Sequence, residues 1–248
     1  MSKHIPNTIT ALNLICGVLS IFFIIRGEVI WASYMIFLAA IFDFFDGFAA
    51  RLLNAYSDIG KELDSLADLI SFGLAPSFIV MYEIADAMGL KMQFSMHGIS
   101  PFHLILLFLP ILLVVATAFR LARFNNDPSQ EETFLGLPSP ASGLFFASLP
   151  LVRNYLEEFS STNFLNNPAF IAALALIFSY LLISNVPMFS LKIKNIRAKK
   201  NIPSYILGII SLALLLLFSL KAVFAIVILY IFMSLILVLI PQNTEKEK

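Results

Sequence analysis

Apolar residues in this chain come in long, predominantly apolar runs, and a helix needs roughly 20 such residues to cross a bilayer. Eight runs approach or reach that length: residues 8–25, 30–53, 58–83, 101–119, 139–155, 168–186, 203–220 and 222–240. Backbone polar groups inside lipid must bond within their own segment or close into a barrel, so runs of this length fold as helices. The expected fold is therefore all-α, a polytopic transmembrane helical bundle of about eight spans. Of the 248 residues 59% are hydrophobic, which excludes an ordinary soluble domain. Pro6 is placed to start the first helix. Only Lys3 precedes that run, without a clear small-residue cleavage site, so it reads as a retained span. Residues 1–240 form one transmembrane domain in this reading, and 241–248 a short charged tail.

Against that apolar background, six carboxylates lie between residues 43 and 68, and four of them, Asp43, Asp46, Asp64 and Asp68, stand at helical spacings. An ionised group within a spanning helix costs roughly 2.5–3.5 kcal/mol on insertion scales, so it needs a partner and usually a task. Asp43 and Asp46 are three apart; Asp64 and Asp68 are four apart. Each pair shares one helix face. Two such helices side by side would bring four like charges together, which requires cations between them. Oxygen ligands with no Cys or His nearby suit Mg²⁺, Mn²⁺ or Ca²⁺ and not zinc. Gly47 and Gly60 remove side chains beside the acids, and Arg51 is suitably charged for a phosphate. Acids, a divalent metal, glycine and arginine together point to phosphoryl transfer.

The same residues resemble the signature of the CDP-alcohol phosphotransferase family at all its specified positions: Asp43, Asp46, Gly47, Ala50, Arg51, Gly60, Asp64 and Asp68. The resemblance implies a six-helix core, here with the last two spans (203–240) peripheral, and a homodimer. It implies two divalent cations, Mg²⁺ or Mn²⁺. Asp43 and Asp64 would bridge both, Asp46 would hold one and Asp68 the other, with Asp68 also the general base. Gly47, Ala50, Arg51, Ser57 and Gly60 would lie along the CDP-lipid, and Pro6, Asn7, Thr8 and Ile9 would close over its nucleotide. The family transfers a substituted phosphate from a CDP-linked donor to an alcohol and releases CMP. Attack by the alcohol is expected to be direct and in line.

The segments Phe-Arg-Leu-Ala-Arg-Phe-Asn at 119–125 and Gly-Leu-Pro-Ser-Pro at 136–140 resemble the phosphatidylserine synthase branch. That implies CDP-diacylglycerol (or CDP-archaeol) and L-serine as substrates, with Arg120 and Arg123 as candidates for the serine carboxylate. Glycerol 3-phosphate or an inositol phosphate would call for a denser basic pocket. A divalent-cation transporter would spread its acids through the membrane depth instead of grouping them at one end of two helices.

Charge fixes the expected orientation. With the N terminus inside, twelve of the sixteen Lys and Arg residues fall on the cytoplasmic side; Arg26, Lys91, Arg153 and Lys221 fall outside. Both termini and the acidic motif would then face the cytoplasm, in the cell (inner) membrane. The basic cluster at 192–200 is expected to be a headgroup anchor. Net charge is zero, so no nucleic-acid footprint is visible. Cys16, the single cysteine, is expected to pack, and His4, His97 and His103 carry no assigned role.

Overall fold

The structure, a computed structural model, describes residues 4–90, 98–126, 134–158, 164–188 and 202–239. It is a bundle of helices. α1 (His4–Ile25) and α2 (Val29–Leu52) form an extensively packed hairpin. α3 (Asp58–Asp68), a π-helical segment (Leu69–Leu74) and α4 (Ala75–Ala87) make one continuous leg. α5 (Pro101–Phe108) and α6 (Ile111–Asn126) form the next, followed by β1 (Phe134–Leu135), α7 (Ser139–Glu157), α8 (Pro168–Ile183) and β2 (Pro187–Met188). α9 (Ile202–Phe218) and α10 (Ala222–Leu239) close the chain, turning at the 3₁₀ segment Ser219–Lys221.

Among the described residues the helices form eight legs. Five helical segments among the described residues are long and apolar enough to cross a bilayer. The last of the five, Ile202–Leu237, contains both α9 and α10, and α8 is a shorter apolar helix. The chain is an all-α polytopic membrane protein with many large apolar side chains turned outward, as lipid contact requires. One core cluster joins α4 to α10, with Phe145, Phe146 and Phe178 at its centre. A second links α1, α2, the π segment and α7 through Ile24, Ile36, Phe72 and Ile79.

Several boundaries differ from the expected ones, each for a local reason. The first helix begins at His4 and not at residue 8, so Pro6 lies in its first turn, where a missing N–H leaves no bond unmade. The third leg does not fade at Glu83 but continues to Ala87, because Glu83 is buried against Arg153. The fourth breaks at Leu109–Pro110, where proline lacks the N–H that would continue the ladder, and then runs on to Asn126. The sixth stops at Ile183, and its exit strand β2 pairs antiparallel with β1. Gly136, at φ +78°, makes that crossing: a Cβ there would lie 2.7 Å from the Leu182 carbonyl oxygen. Its small size serves packing against the end of α8.

The tight turn expected at Lys221 is present, with Ser219 at φ +55°. The loop at 127–133, the basic cluster at 192–200, His97 and the tail at 241–248 lie outside the described residues.

The π segment has no forewarning in the apolar pattern. It is gripped by small residues from three sides, the packing mode that close approach in lipid favours. A Cβ on Gly17 of α1 would lie 2.5 Å from Ser71 Oγ. One on Gly143 of α7 would lie 2.9 Å from Phe72 Cα, and one on Gly73 3.2 Å from Thr117 of α6. The wider turn therefore sits locked in place immediately after Asp68.

Candidate active site

α2 and α3 are joined by a short turn in which Asn54 adopts φ +47°, a conformation asparagine tolerates well. Ser57 then caps α3, its Oγ accepting from Gly60 N–H at 3.0 Å. This reversal turns α3 back along α1, which packs against both α2 and α3. Carboxylate oxygens of Asp43, Asp64 and Asp68 come within 4.8 Å of one another. Asp46, one turn further along α2, is 5% exposed and has Thr10 of α1 beside it. Three of the four spaced acids, one from α2 and two from α3, thus converge.

Among the described residues, no Lys or Arg is ion-paired with any of the four. Buried Asp46 Oδ2, Asp64 Oδ1 and Asn13 Oδ1 have no hydrogen-bond partner. A buried acceptor left unpaired costs about 1–3 kcal/mol, and more if charged. Unpaired hard oxygens grouped this closely fit divalent cations of the Mg²⁺ or Mn²⁺ type.

The rest of the expected site divides into open and engaged positions. Gly47 meets nothing within 4 Å, so its face of α2 is free for a ligand, and Arg51, one turn on, is exposed. Ala50 lies between them and is half-buried. At Gly60 the space of a Cβ is filled by Asn7 Oδ1 and Ser57 Oγ, both at 2.9 Å. Gly60 thus lets the head of α1 close against α3, and Ser57 acts first as a helix cap. Pro6, Asn7, Thr8 and Ile9 form the opening turns of α1 over that junction, with Thr8 Oγ1 donating to the His4 carbonyl at 2.8 Å.

Arg120 and Arg123 separate from each other. Arg120 is an electrostatic neighbour of Asp68 and donates from Nη1 to Ser139 Oγ at 3.1 Å; its buried Nε has no partner. Arg123 is exposed and donates to Asn185 Oδ1 at 2.7 Å. Ser139 falls in the segment 136–140 singled out by resemblance but had no assigned contact, and Asn185 was not singled out by the sequence. They reach the site only because the β1–β2 crossing ties the start of α7 to the exit of α8. Asn13 was visible as a polar residue in an apolar run but had no assigned task. Its Nδ2 donates to Asp68 Oδ1 at 3.2 Å.

The family model described as CDP-alcohol phosphatidyltransferase matches residues 3–183, the stretch from α1 through α8. The chain belongs to the CDP-alcohol phosphatidyltransferase family. The CDP-diacylglycerol–serine O-phosphatidyltransferase of Helicobacter pylori is 31% identical over 236 residues, covering 93% of this chain and 89% of that protein. The enzyme of the same name from Bacillus subtilis is 36% identical over 152 residues, 61% of this chain and 78% of the relative. An archaetidylserine synthase from Methanothermobacter thermautotrophicus is 32% identical over 155 residues, 62% of this chain and 60% of its own length.

Proposed function

We propose that this CDP-alcohol phosphatidyltransferase is a phosphatidylserine synthase, moving the phosphatidyl group of CDP-diacylglycerol to the hydroxyl of L-serine and releasing CMP. The observation that carries the acceptor assignment is the Helicobacter relative, which bears the serine-specific name and aligns with nearly the whole chain.

Asp43, Asp46, Asp64 and Asp68 would hold two divalent cations, which when bound neutralise the diphosphate and stabilise charge on departing CMP. Gly47 leaves the backbone of α2 open to the donor, with Ala50 beside it, and Arg51 offers a guanidinium to its phosphates. The opening turns of α1, Pro6 to Ile9, cover the nucleotide end, while Ser57 and Gly60 hold the α3 side of the cleft. Arg120 binds the serine carboxylate and Arg123 extends that contact outward. The seryl hydroxyl is a poor nucleophile at neutral pH; Asp68 takes its proton as the oxygen attacks the lipid-bearing phosphorus. One P–O bond forms to serine as the P–O bond to CMP breaks.

The acidic end of the bundle faces the cytoplasm of the cell (inner) membrane in this reading, and the lipid donor enters from the bilayer. Residues 1–240 act as one domain, with α9 and α10 peripheral to a six-helix core, in a homodimer. The donor is CDP-diacylglycerol, with CDP-archaeol as the ether-linked alternative.

The test is CMP release by purified protein given CDP-diacylglycerol, with serine, glycerol 3-phosphate and an inositol phosphate as acceptors, and Mg²⁺ and Mn²⁺ varied. Release that depends on serine supports the assignment. Release with glycerol 3-phosphate and none with serine overturns it.

A further inference from the structure

Asn13 lies in the middle of α1, one turn beyond the segment assigned to the nucleotide, and is fully buried. Its side-chain amide donates to Asp68 Oδ1 at 3.2 Å. Its backbone carbonyl accepts from Ser71 Oγ at 3.0 Å. One residue of α1 therefore holds both Asp68 and the π segment that follows it. Gly17, one turn later, lets α1 approach Ser71 closely enough for that second bond. The remaining polar atom of the side chain, Oδ1, is buried without a partner.

A residue kept at this position only to pack helices would be apolar, like most of its neighbours in the run. An amide that satisfies Asp68 while leaving its own oxygen unpaired is placed for Asp68. With Oδ1 of Asp68 held by the Asn13 amide, rotation of the carboxylate is restricted and the direction its other oxygen faces is set. Ionised carboxylates accept only, and a single fixed donor sets which oxygen faces the reactant. The hydroxyl of Ser71 completes the arrangement from behind, by holding the Asn13 backbone to the wider turn that carries Asp68 into the cluster.

We propose that Asn13 is a positioning residue for the transfer step, acting through Asp68 by fixing the orientation of its carboxylate. The proposal rests on Asp68 being the general base. A group that orients the base without touching either substrate lowers the rate of turnover when removed and leaves substrate binding nearly unchanged.

The experiment compares the purified full-length protein with Asn13→Ala, Asn13→Ser and Asp68→Asn. It reads kcat and KM from CMP release, and Mn²⁺ binding by electron paramagnetic resonance. Asn13→Ala is expected to lose 30-fold or more in kcat, with KM for serine and for CDP-diacylglycerol within threefold of the parent and Mn²⁺ still bound. Asn13→Ser keeps a short donor and is expected to recover part of that rate. Asn13→Ala at the parent rate beside an inactive Asp68→Asn overturns the proposal and leaves the base assignment standing. A loss of kcat in Asn13→Ala matched by loss of Mn²⁺ binding, with no recovery in Asn13→Ser, also overturns it, since Asn13 would then be a packing residue. Turnover retained in Asp68→Asn takes down the base assignment and the proposal together.

Discussion

The leg running from α3 through α4 carries acids at both ends, and the two ends are resolved in opposite ways. At one end Asp64 and Asp68 meet Asp43 and Asp46 with no cationic side chain ion-paired to them among the described residues. At the other, Glu83 and Asp86 of α4 and Glu157 of α7 gather around Arg153, at 2.8, 2.5 and 3.0 Å. Lys221 lies nearby over the ring of Tyr155, 4.2 Å from its centroid. The far cluster brings its own cation, so it ties α4 to α7 and asks nothing of the surroundings. The near cluster has no such ion pair among the described residues, and the proposed function gives it cations from outside. Similar side-chain chemistry thus gives a staple at one end and a candidate binding site at the other, and a directly ion-paired arginine marks the difference.

The largest expected effect is at the near end. Asp64→Asn removes one negative charge from the group while keeping its shape. If the cluster exists to hold cations, CMP release falls at least a thousandfold, and a chelator reproduces the loss in the parent and is reversed by Mg²⁺ or Mn²⁺. The same substitution should leave thermal unfolding in detergent unchanged or raise the midpoint, because like charges are relieved. A marked fall in the midpoint would mean that the near acids are structural, and the contrast between the two ends would fail.

The mirror experiment is Arg153→Ala. Removing one partner from a buried ion pair leaves the other charge uncompensated, a loss of about 3–5 kcal/mol when the pair is well buried. Glu83 is 2% exposed, so most of that loss should appear as a lower unfolding midpoint. The fraction that remains folded should turn over at the parent rate, since the far cluster lies roughly 20 Å from Asp68 along the leg at the rise of an ordinary helix. A double change, Arg153→Met with Glu83→Leu, should recover most of the stability.

How much of this was legible beforehand follows the same division. The near cluster was readable because its function needs fixed spacings on two consecutive helices, and i,i+3 and i,i+4 offsets are visible in one dimension. So were the helices themselves, since lipid demands long apolar runs. The far cluster was not: Glu83 and Arg153 are seventy residues apart, and only packing brings them together. Charge counting placed Arg153 on the outer side but gave it no partner. The π segment was hidden because a single extra residue in a turn leaves the apolar pattern intact; the contacts at Gly17, Gly73 and Gly143 become meaningful only once three helices surround it. Ser57 and Gly60 were legible as motif positions, yet their local work, a helix cap and a close contact with Asn7, depends on how α1 lies across α3.

Arg120 and Arg123 allow a finer cut within the near end. Arg120→Ala should raise KM for serine about 10- to 100-fold, the effect of losing a charge-assisted hydrogen bond to a carboxylate worth roughly 1.5–3 kcal/mol. KM for CDP-diacylglycerol should change less than threefold. Equal effects on both substrates would move Arg120 from the acceptor to the donor.

The smallest effect is expected at Arg123. It is one turn further along α6, exposed, and already engaged with Asn185. An exposed guanidinium attracts an anion through solvent that screens it, so its contribution is roughly 0.2–1 kcal/mol. Arg123→Ala should therefore raise KM for serine only two- to fivefold, and the increase should shrink as salt is added. Asn185→Ala frees the same guanidinium without removing it. It should change KM in the opposite direction or not at all, if Arg123 reaches outward to the acceptor. If the two substitutions weaken serine use equally, the Arg123–Asn185 pair acts as a clamp between α6 and the exit of α8. Arg123 would then belong with Arg153, as a cation spent on holding helices together.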